Sequence, residues 1–274
     1  MRRGQYVFQA AGCLGCHTDV EHKGTPLAGG RALKTPFGTF YGPNITPDPQ
    51  HGLGRWSEED FRRALRKGVS PQGSNYFPAF PYPAFTGMTD ADVGDLWAYL
   101  RSLAPVAAQN RKHDLKFPYS WRPVVRFWKI LYFRSGPLEP DPGLNPRLNR
   151  GRYIVRAVSH CGECHTPRNS LGGFEKGMFL AGNPVGPGGE VVPNITPDKK
   201  TGIGKWSEGD LVDVLKTGMM PDGDFAGGAM GEVVKNSTSR LTDADRLAVA
   251  AFVRSVPPVE HVLPKRKHDH EHEH

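Results

Sequence analysis

The chain has 274 residues, a formal charge of +7, 38% hydrophobic residues, 33 Gly and 25 Pro. That length accommodates two domains with their own cores, while Gly and Pro at over a fifth of the chain exclude a fold of long uninterrupted helices. Its 35 Lys and Arg are interspersed with 28 Asp and Glu instead of forming a stripe, which argues against nucleic-acid binding, and no run reaches the ~18 apolar residues that span a bilayer.

No apolar stretch of signal-peptide length precedes the first helix, so the expectation is a chain whose export signal or anchor is missing. Tyr6, Val7, Ala10 and Ala11 predict a helix running into Cys13-Leu14-Gly15-Cys16-His17. A Gly-rich stretch then leads to Pro43-Asn44-Ile45-Thr46-Pro47-Asp48 and Gly54-Arg55-Trp56-Ser57-Glu58. Ser57 with Asp60 caps a middle helix. Thr89 with Asp92 opens a last helix, with Val93, Leu96, Trp97 and Leu100 at helical spacing.

Residues 105–148 read as a connection. Within them Pro137–Pro146 is an extended linker, and the basic, aromatic run Trp121–Phe133 suits either inter-domain packing, the favoured reading, or a membrane surface.

The pattern then repeats. Tyr153, Ile154, Ala157 and Val158 lead into Cys161-Gly162-Glu163-Cys164-His165. Pro193-Asn194-Ile195-Thr196-Pro197-Asp198 and Gly204-Lys205-Trp206-Ser207-Glu208 follow at a displacement of 150 residues from their first copies. Ser207 with Asp210 and Thr242 with Asp245 repeat the caps, the latter displaced by 153. Each half therefore reads as one domain of three helices joined by Gly/Pro-rich loops.

The two C-x-x-C-H segments carry the chemistry. Cysteines three apart on one helical turn reach the two vinyl groups on one edge of a porphyrin, and the adjacent His turns under the ring to ligate iron. A zinc site also uses C-x-x-C, but the immediate His in both copies favours two covalently bound haem c groups. Cys13, Cys16, Cys161 and Cys164 are then the attachment residues, with His17 and His165 as proximal iron ligands. All four cysteines are consumed, and a dedicated attachment system points to the bacterial periplasm. Four propionates would offset much of the +7.

The distal ligand in small proteins of this chemistry is usually Met. The second half offers Met230 among glycines, with Met219 and Met220 as rivals. Counting back 150 from Met230 lands on Phe80, which cannot bind iron. Met88 is the remaining candidate for haem 1, read equally well as the apolar staple before the Thr89 cap. An open site, or His22, His51 or His113, are the alternatives.

Together these motifs, with R-G-x-Y before each C-x-x-C-H, Cys164-His165-Thr166-Pro167-Arg168-Asn169 and Tyr76-Phe77-Pro78-Ala79-Phe80-Pro81-Tyr82-Pro83-Ala84-Phe85, resemble the cytochrome c subunits of membrane-associated bacterial alcohol, aldehyde and gluconate dehydrogenases. The resemblance implies an all-α fold of two tandem class I cytochrome c-like domains: 1–104, a linker 105–148, a second domain 149–260, and a His-rich tail 261–274. It implies electron transfer and no catalysis by the chain alone. The donor would be a dehydrogenase catalytic subunit, and the acceptor another cytochrome, quinone or terminal oxidase. Membrane association would come through a missing N-terminal segment or a partner. Asn44, Trp56, Asn194 and Trp206 become candidates for the haem environment, near a propionate, with plain core packing the equal alternative for the tryptophans. The competing function is a haem enzyme, peroxidase-like or oxidising sulfur compounds, at an open haem 1. The last ten residues alternate His with acids, a pattern read as a solvated tail or vector remnant before a divalent-metal site.

Overall fold

A computed structural model describes residues 1–264. The predicted His-rich segment from Lys265 onward lies outside the described residues. In chain order the elements are α1 (Arg2–Ala10), α2 (Cys13–His17), β1 (Ala32–Thr35), β2 (Gly38–Tyr41), α3 (Glu58–Lys67), α4 (Tyr82–Phe85) and α5 (Asp90–Arg101). They continue with β3 (Asp114–Leu115), α6 (Arg122–Tyr132), α7 (Pro146–Tyr153), α8 (Gly162–His165), α9 (Glu208–Thr217), α10 (Gly228–Asn236) and α11 (Asp243–Ser255). The longest helix, α11, has 13 residues, in keeping with the Gly and Pro content.

The chain is largely helical, but the all-α expectation needs correction. β1, β2 and β3 form an antiparallel sheet in that order, with Ala32 opposite Tyr41 and Thr39 opposite Asp114. Gly38 at φ 123° lets the chain reverse in the two-residue turn at Pro36-Phe37. The strands are two to four residues long, too short to leave a period in the sequence, and β3 pairs with residues more than seventy positions away.

The predicted caps form. The Ser57 hydroxyl accepts from the Asp60 N–H while the Asp60 carboxylate accepts from the Ser57 N–H, and Ser207 with Asp210 does the same. Thr89 and Thr242 accept from the N–H groups of Asp92 and Asp245. The R-G-x-Y glycines explain how first and last helices meet: a Cβ on Gly4 would overlap the Asp95 carbonyl oxygen beneath it, and one on Gly151 the Ala248 carbonyl oxygen. Each half therefore crosses its N-terminal helix closely over its C-terminal one, α1 on α5 and α7 on α11.

Tyr6 and Tyr153 stand 147 residues apart, whereas Cys13 and Cys161 stand 148 apart. The extra residue is absorbed as a π-helical turn, Ile154–Val158, closed by the Ser159 N–H on the Ile154 carbonyl at 2.7 Å. Both approach helices then break before the cysteines, at Gly12 (φ 64°) and at His160 (φ 43°). The continuous helix expected into each C-x-x-C-H is thus a helix, a left-handed residue and a new short turn.

The halves meet through a reciprocal pair of networks. Tyr153 donates its hydroxyl to Asp92 at 2.6 Å and accepts the Thr89 N–H at 3.0 Å, while Arg3 reaches Asp92 at 3.3 Å. Tyr6 donates to Asp245, accepts the Thr242 N–H at 3.3 Å, and Arg150 grips Asp245 with two bonds of 2.8 and 2.7 Å. Each tyrosine on a first helix thus holds a first-turn carboxylate of the other half's last helix and accepts the N–H of its capping threonine. Burial, the larger cause, and the Asp92 bond push the Tyr153 hydroxyl up to about 12, so it stays a donor.

Replacing Tyr6 or Tyr153 by Phe leaves a partly buried carboxylate one donor short and should cost about 1–3 kcal/mol each, read by denaturant unfolding; a change below about 0.3 kcal/mol in both would remove the networks from the seam. Asp60 and Asp210 are held below the usual carboxylate range by the Ser N–H and hydroxyl groups. Their contribution is therefore complete above the unfolded Asp value of about 3.9 and is lost as pH falls through the lower folded value. Asp60→Asn with Asp210→Asn should flatten the melting-temperature profile below about pH 4.

Candidate haem sites

α2 and α8 carry the two C-x-x-C-H segments, and the geometry behind them is the same in both halves. His17 places Nδ1 2.8 Å from the Pro43 carbonyl oxygen, and His165 places Nδ1 2.9 Å from that of Pro193. A carbonyl only accepts, so Nδ1 carries the proton and Nε2 keeps its lone pair on the opposite side of the ring. Burial holds both imidazoles below their ordinary value, so they are neutral. A neutral ring with a fixed Nδ1–H and a free Nε2 is the tautomer that ligates iron.

The turns are tied down identically. The Thr18 and Thr166 hydroxyls each accept a backbone N–H, from Leu27 and Leu180, at 3.1 Å. These leucines adopt φ 63° and 64°, unusual for a γ-branched residue. Gly29 and Gly182 then donate to the His17 and His165 carbonyls at 2.9 and 2.7 Å. The sequence reading singled out neither the threonines nor the leucines; the signal was the recurrence of C-H-T and L-A-G in both halves.

Burial pushes the thiols of Cys13 and Cys164 up to about 12 and Cys161 to about 11. Before haem is attached they are neutral thiols, unlike the thiolates of reactive cysteines. Two thiols one turn apart beside an imidazole with a free Nε2 fit covalent haem c in each half. Among the described residues, Arg31, half-buried beside Cys16, leaves its Nε and Nη1 without protein partners, so donors for an acidic group remain at the first site.

The Pro-Asn-Ile-Thr-Pro-Asp segments do a different task from the one expected of their asparagines. The Asn44 amide donates to the carbonyls of Val106 and Ala108 at 2.7 and 3.1 Å and accepts from the Thr46 N–H and hydroxyl at 2.9 and 2.7 Å. Asn194 donates to Val259 and Thr201 and accepts from Thr196 in the same way. Their hydrogen-bonding capacity is spent, so as propionate donors Asn44 and Asn194 are corrected: they clamp the loop that presents the proline carbonyl to the chain leaving the last helix. Trp56 and Trp206 are partly buried against the core, and among the described residues their indole N–H groups form no hydrogen bond to protein.

On the distal side, Met88 is fully buried directly before the Thr89 cap, and Val93, also fully buried, is the fourth residue of α5. Phe80 sits among aromatic rings, with Tyr76, Phe85 and Tyr82 centred 5.6, 5.9 and 6.2 Å away. Met230 is not in a loop, as expected, but in α10, because Gly228 at φ 52° turns the chain into a helix that Val234 anchors. Of the alternative ligands, His22 is exposed and paired with Asp19, and His113 accepts the Tyr41 N–H through Nδ1 at 3.1 Å.

The two sites adjoin. α10 of the second half lies against α2, with Arg31 on Glu232 at 3.1 Å, and α4 of the first half lies against the π-helical turn, with Phe85 and His160 rings 5.3 Å apart.

The cytochrome c family profile matches residues 1–104. A "Diheme cytochrome c-type" protein of Cereibacter sphaeroides is 46% identical over 264 residues, covering 94% of this chain and 86% of its own. The chain belongs to the dihaem c-type cytochromes. It carries two covalently bound haem c groups. The fructose dehydrogenase cytochrome subunit of Gluconobacter japonicus is 43% identical over 257 residues, and the quinone alcohol dehydrogenase cytochrome c subunit of Gluconobacter oxydans 38% over 268. These alignments take in 93% and 94% of the dihaem cytochrome but 52% and 55% of the relatives, so the chain spans about half the length of such subunits.

Asn44→Ala or Asn194→Ala should lower stability by about 2–4 kcal/mol, because buried carbonyl and N–H groups lose their partner, with midpoint potentials shifted little. A large potential shift without loss of stability would return the asparagines to the propionates.

Proposed function

We propose that this dihaem cytochrome takes electrons singly from a periplasmic dehydrogenase catalytic subunit and passes them to another cytochrome, a quinone or a terminal oxidase. Residues 1–104 and 149–260 act as two tandem cytochrome c-like domains joined by 105–148. The observation that carries the reading is the duplicated His Nδ1–proline carbonyl geometry, in a chain aligned over nine-tenths of its length with cytochrome subunits of dehydrogenases.

Cys13 and Cys16, and Cys161 and Cys164, would hold the two haem groups covalently, and His17 and His165, together with Met88 and Met230, would ligate their irons. Bound haem c supplies a one-electron iron couple. The protein's part is to keep each imidazole neutral and aimed, since the bond from Nδ1–H to Pro43 or Pro193 strengthens Nε2 as a donor. Thioether ligands from Met88 and Met230 would close the distal faces, raise the potentials and leave no position for a substrate. The adjoining of the two attachment turns suits transfer between the halves without a mobile domain. The compartment follows from thioether formation, which in bacteria takes place outside the cytoplasm. Among the described residues no helix is long and apolar enough to cross a membrane.

Met88→Ala and Met230→Ala should each remove about half of the weak red absorption of ferric Met-ligated haem, and each should create one carbon monoxide site per chain in the reduced protein, where the parent binds none. Rapid carbon monoxide binding by the parent, with no spectral change in Met88→Ala, would favour a haem enzyme with an open first site.

A further inference from the structure

Helix α6 has an inner face that bridges both halves and an outer face that, among the described residues, meets nothing. On the inner side Val125 is buried, and Lys129 donates to Asn75 of the first half at 2.8 Å. Tyr132 accepts from Asn169 of the second half at 3.3 Å. The expected inter-domain packing therefore accounts for this face alone. On the outer side Phe127, Ile130 and Leu131 are 67%, 62% and 63% exposed, and ahead of the helix Trp121 and Phe117 are 59% and 83% exposed. Residues 127, 130 and 131 share one helical face, so this is a contiguous apolar surface, which soluble monomers seldom display.

Its charge is one-sided. Between residues 111 and 134 stand seven Lys and Arg against the single Asp114, a net +6, leaving +1 for the rest of the chain. Arg126, Lys129 and Arg134, with Asn75, Ile130 and Phe133, line an open depression of about 590 Å³ with no carboxylate among its walls.

We propose that the outer face of α6 and the Phe117–Trp121 turn form a peripheral docking surface for an anionic phospholipid bilayer. Phe127, Ile130 and Leu131 would enter the headgroup region, with Trp121 at its boundary, while Arg126 and Arg134 pair with lipid phosphates. A short surface helix with cations flanking aromatic and aliphatic residues has the composition of an interfacial anchor, and each cation near an anionic leaflet adds attraction. Seven cations against one carboxylate between residues 111 and 134 favour a surface of dense negative charge, which an anionic leaflet supplies, and an acidic protein partner is left as an outcome of the test. None of these side chains belongs to the attachment turns, so the proposal stands or falls apart from the electron-transfer reading.

The test is co-sedimentation of the dihaem holoprotein with vesicles of phosphatidylglycerol and phosphatidylcholine, against phosphatidylcholine alone. Binding is expected on the anionic vesicles only. It should weaken about tenfold or more in 0.5 M salt, and likewise in Phe127→Glu/Ile130→Glu and in Arg126→Glu/Arg134→Glu. Haem absorption and melting temperature, unchanged in the variants, show that they are folded. Equal binding to both vesicle types, or undiminished anionic binding by both variants, overturns the proposal. So does absence of vesicle binding when the variants lose association with a purified dehydrogenase subunit, which would assign the face to a protein.

Discussion

A carbonyl oxygen facing each imidazole is the constraint on which the rest of the structure turns. Pro43 and Pro193 accept the Nδ1 protons of His17 and His165, and that one bond selects the tautomer, orients the ring and commits Nε2 to a single direction. Much of each half holds that carbonyl in position. Asn44 and Asn194 lock the loop on one side to the chain beyond the last helix, and Gly29 and Gly182 tie the opposite side back to the histidine's own carbonyl. Proline at the accepting position has no N–H to divert and little torsional freedom.

The halves use a second device to stay in register. Tyr6 and Tyr153 cross the seam to the carboxylates of Asp245 and Asp92, each already placed by a threonine cap and an arginine. A helix start that would otherwise be capped within its own half is thereby converted into a joint between the halves. The glycine two residues before each tyrosine allows first and last helices close enough for the hydroxyl to arrive, which gives the R-G-x-Y motif a physical meaning beyond helix propensity. Along that seam the two attachment turns adjoin, α10 against α2 and α4 against the π-helical turn. A carrier of single electrons benefits from sites whose separation does not fluctuate.

The connecting segment adds what neither half has. Its inner face packs on both halves and its outer face on neither among the described residues, and it holds nearly all of the net positive charge. A chain whose halves are close to neutral is oriented in an electric field by such a segment, whatever surface it meets.

From the amino-acid sequence alone came the two C-x-x-C-H segments, the duplication, the Ser57, Ser207, Thr89 and Thr242 caps and the spacing of the last helices, because each is a local signal within one or two helical turns. Membership of the dihaem cytochromes followed from those signals. The small sheet is illegible in the sequence because its strands are shorter than any readable period, and Met230 reads as a loop residue because Gly228 and Gly231 mask a short helix. The asparagines read as propionate partners because nothing in the sequence says that Val106, Ala108 and Val259 return to meet them. Only the tertiary structure decided which carbonyl faces each imidazole, which carboxylate each tyrosine crosses to, and which side of α6 is left bare. These contacts join residues from 26 to 239 positions apart, and at that range the path of the chain, not its local preferences, determines what meets.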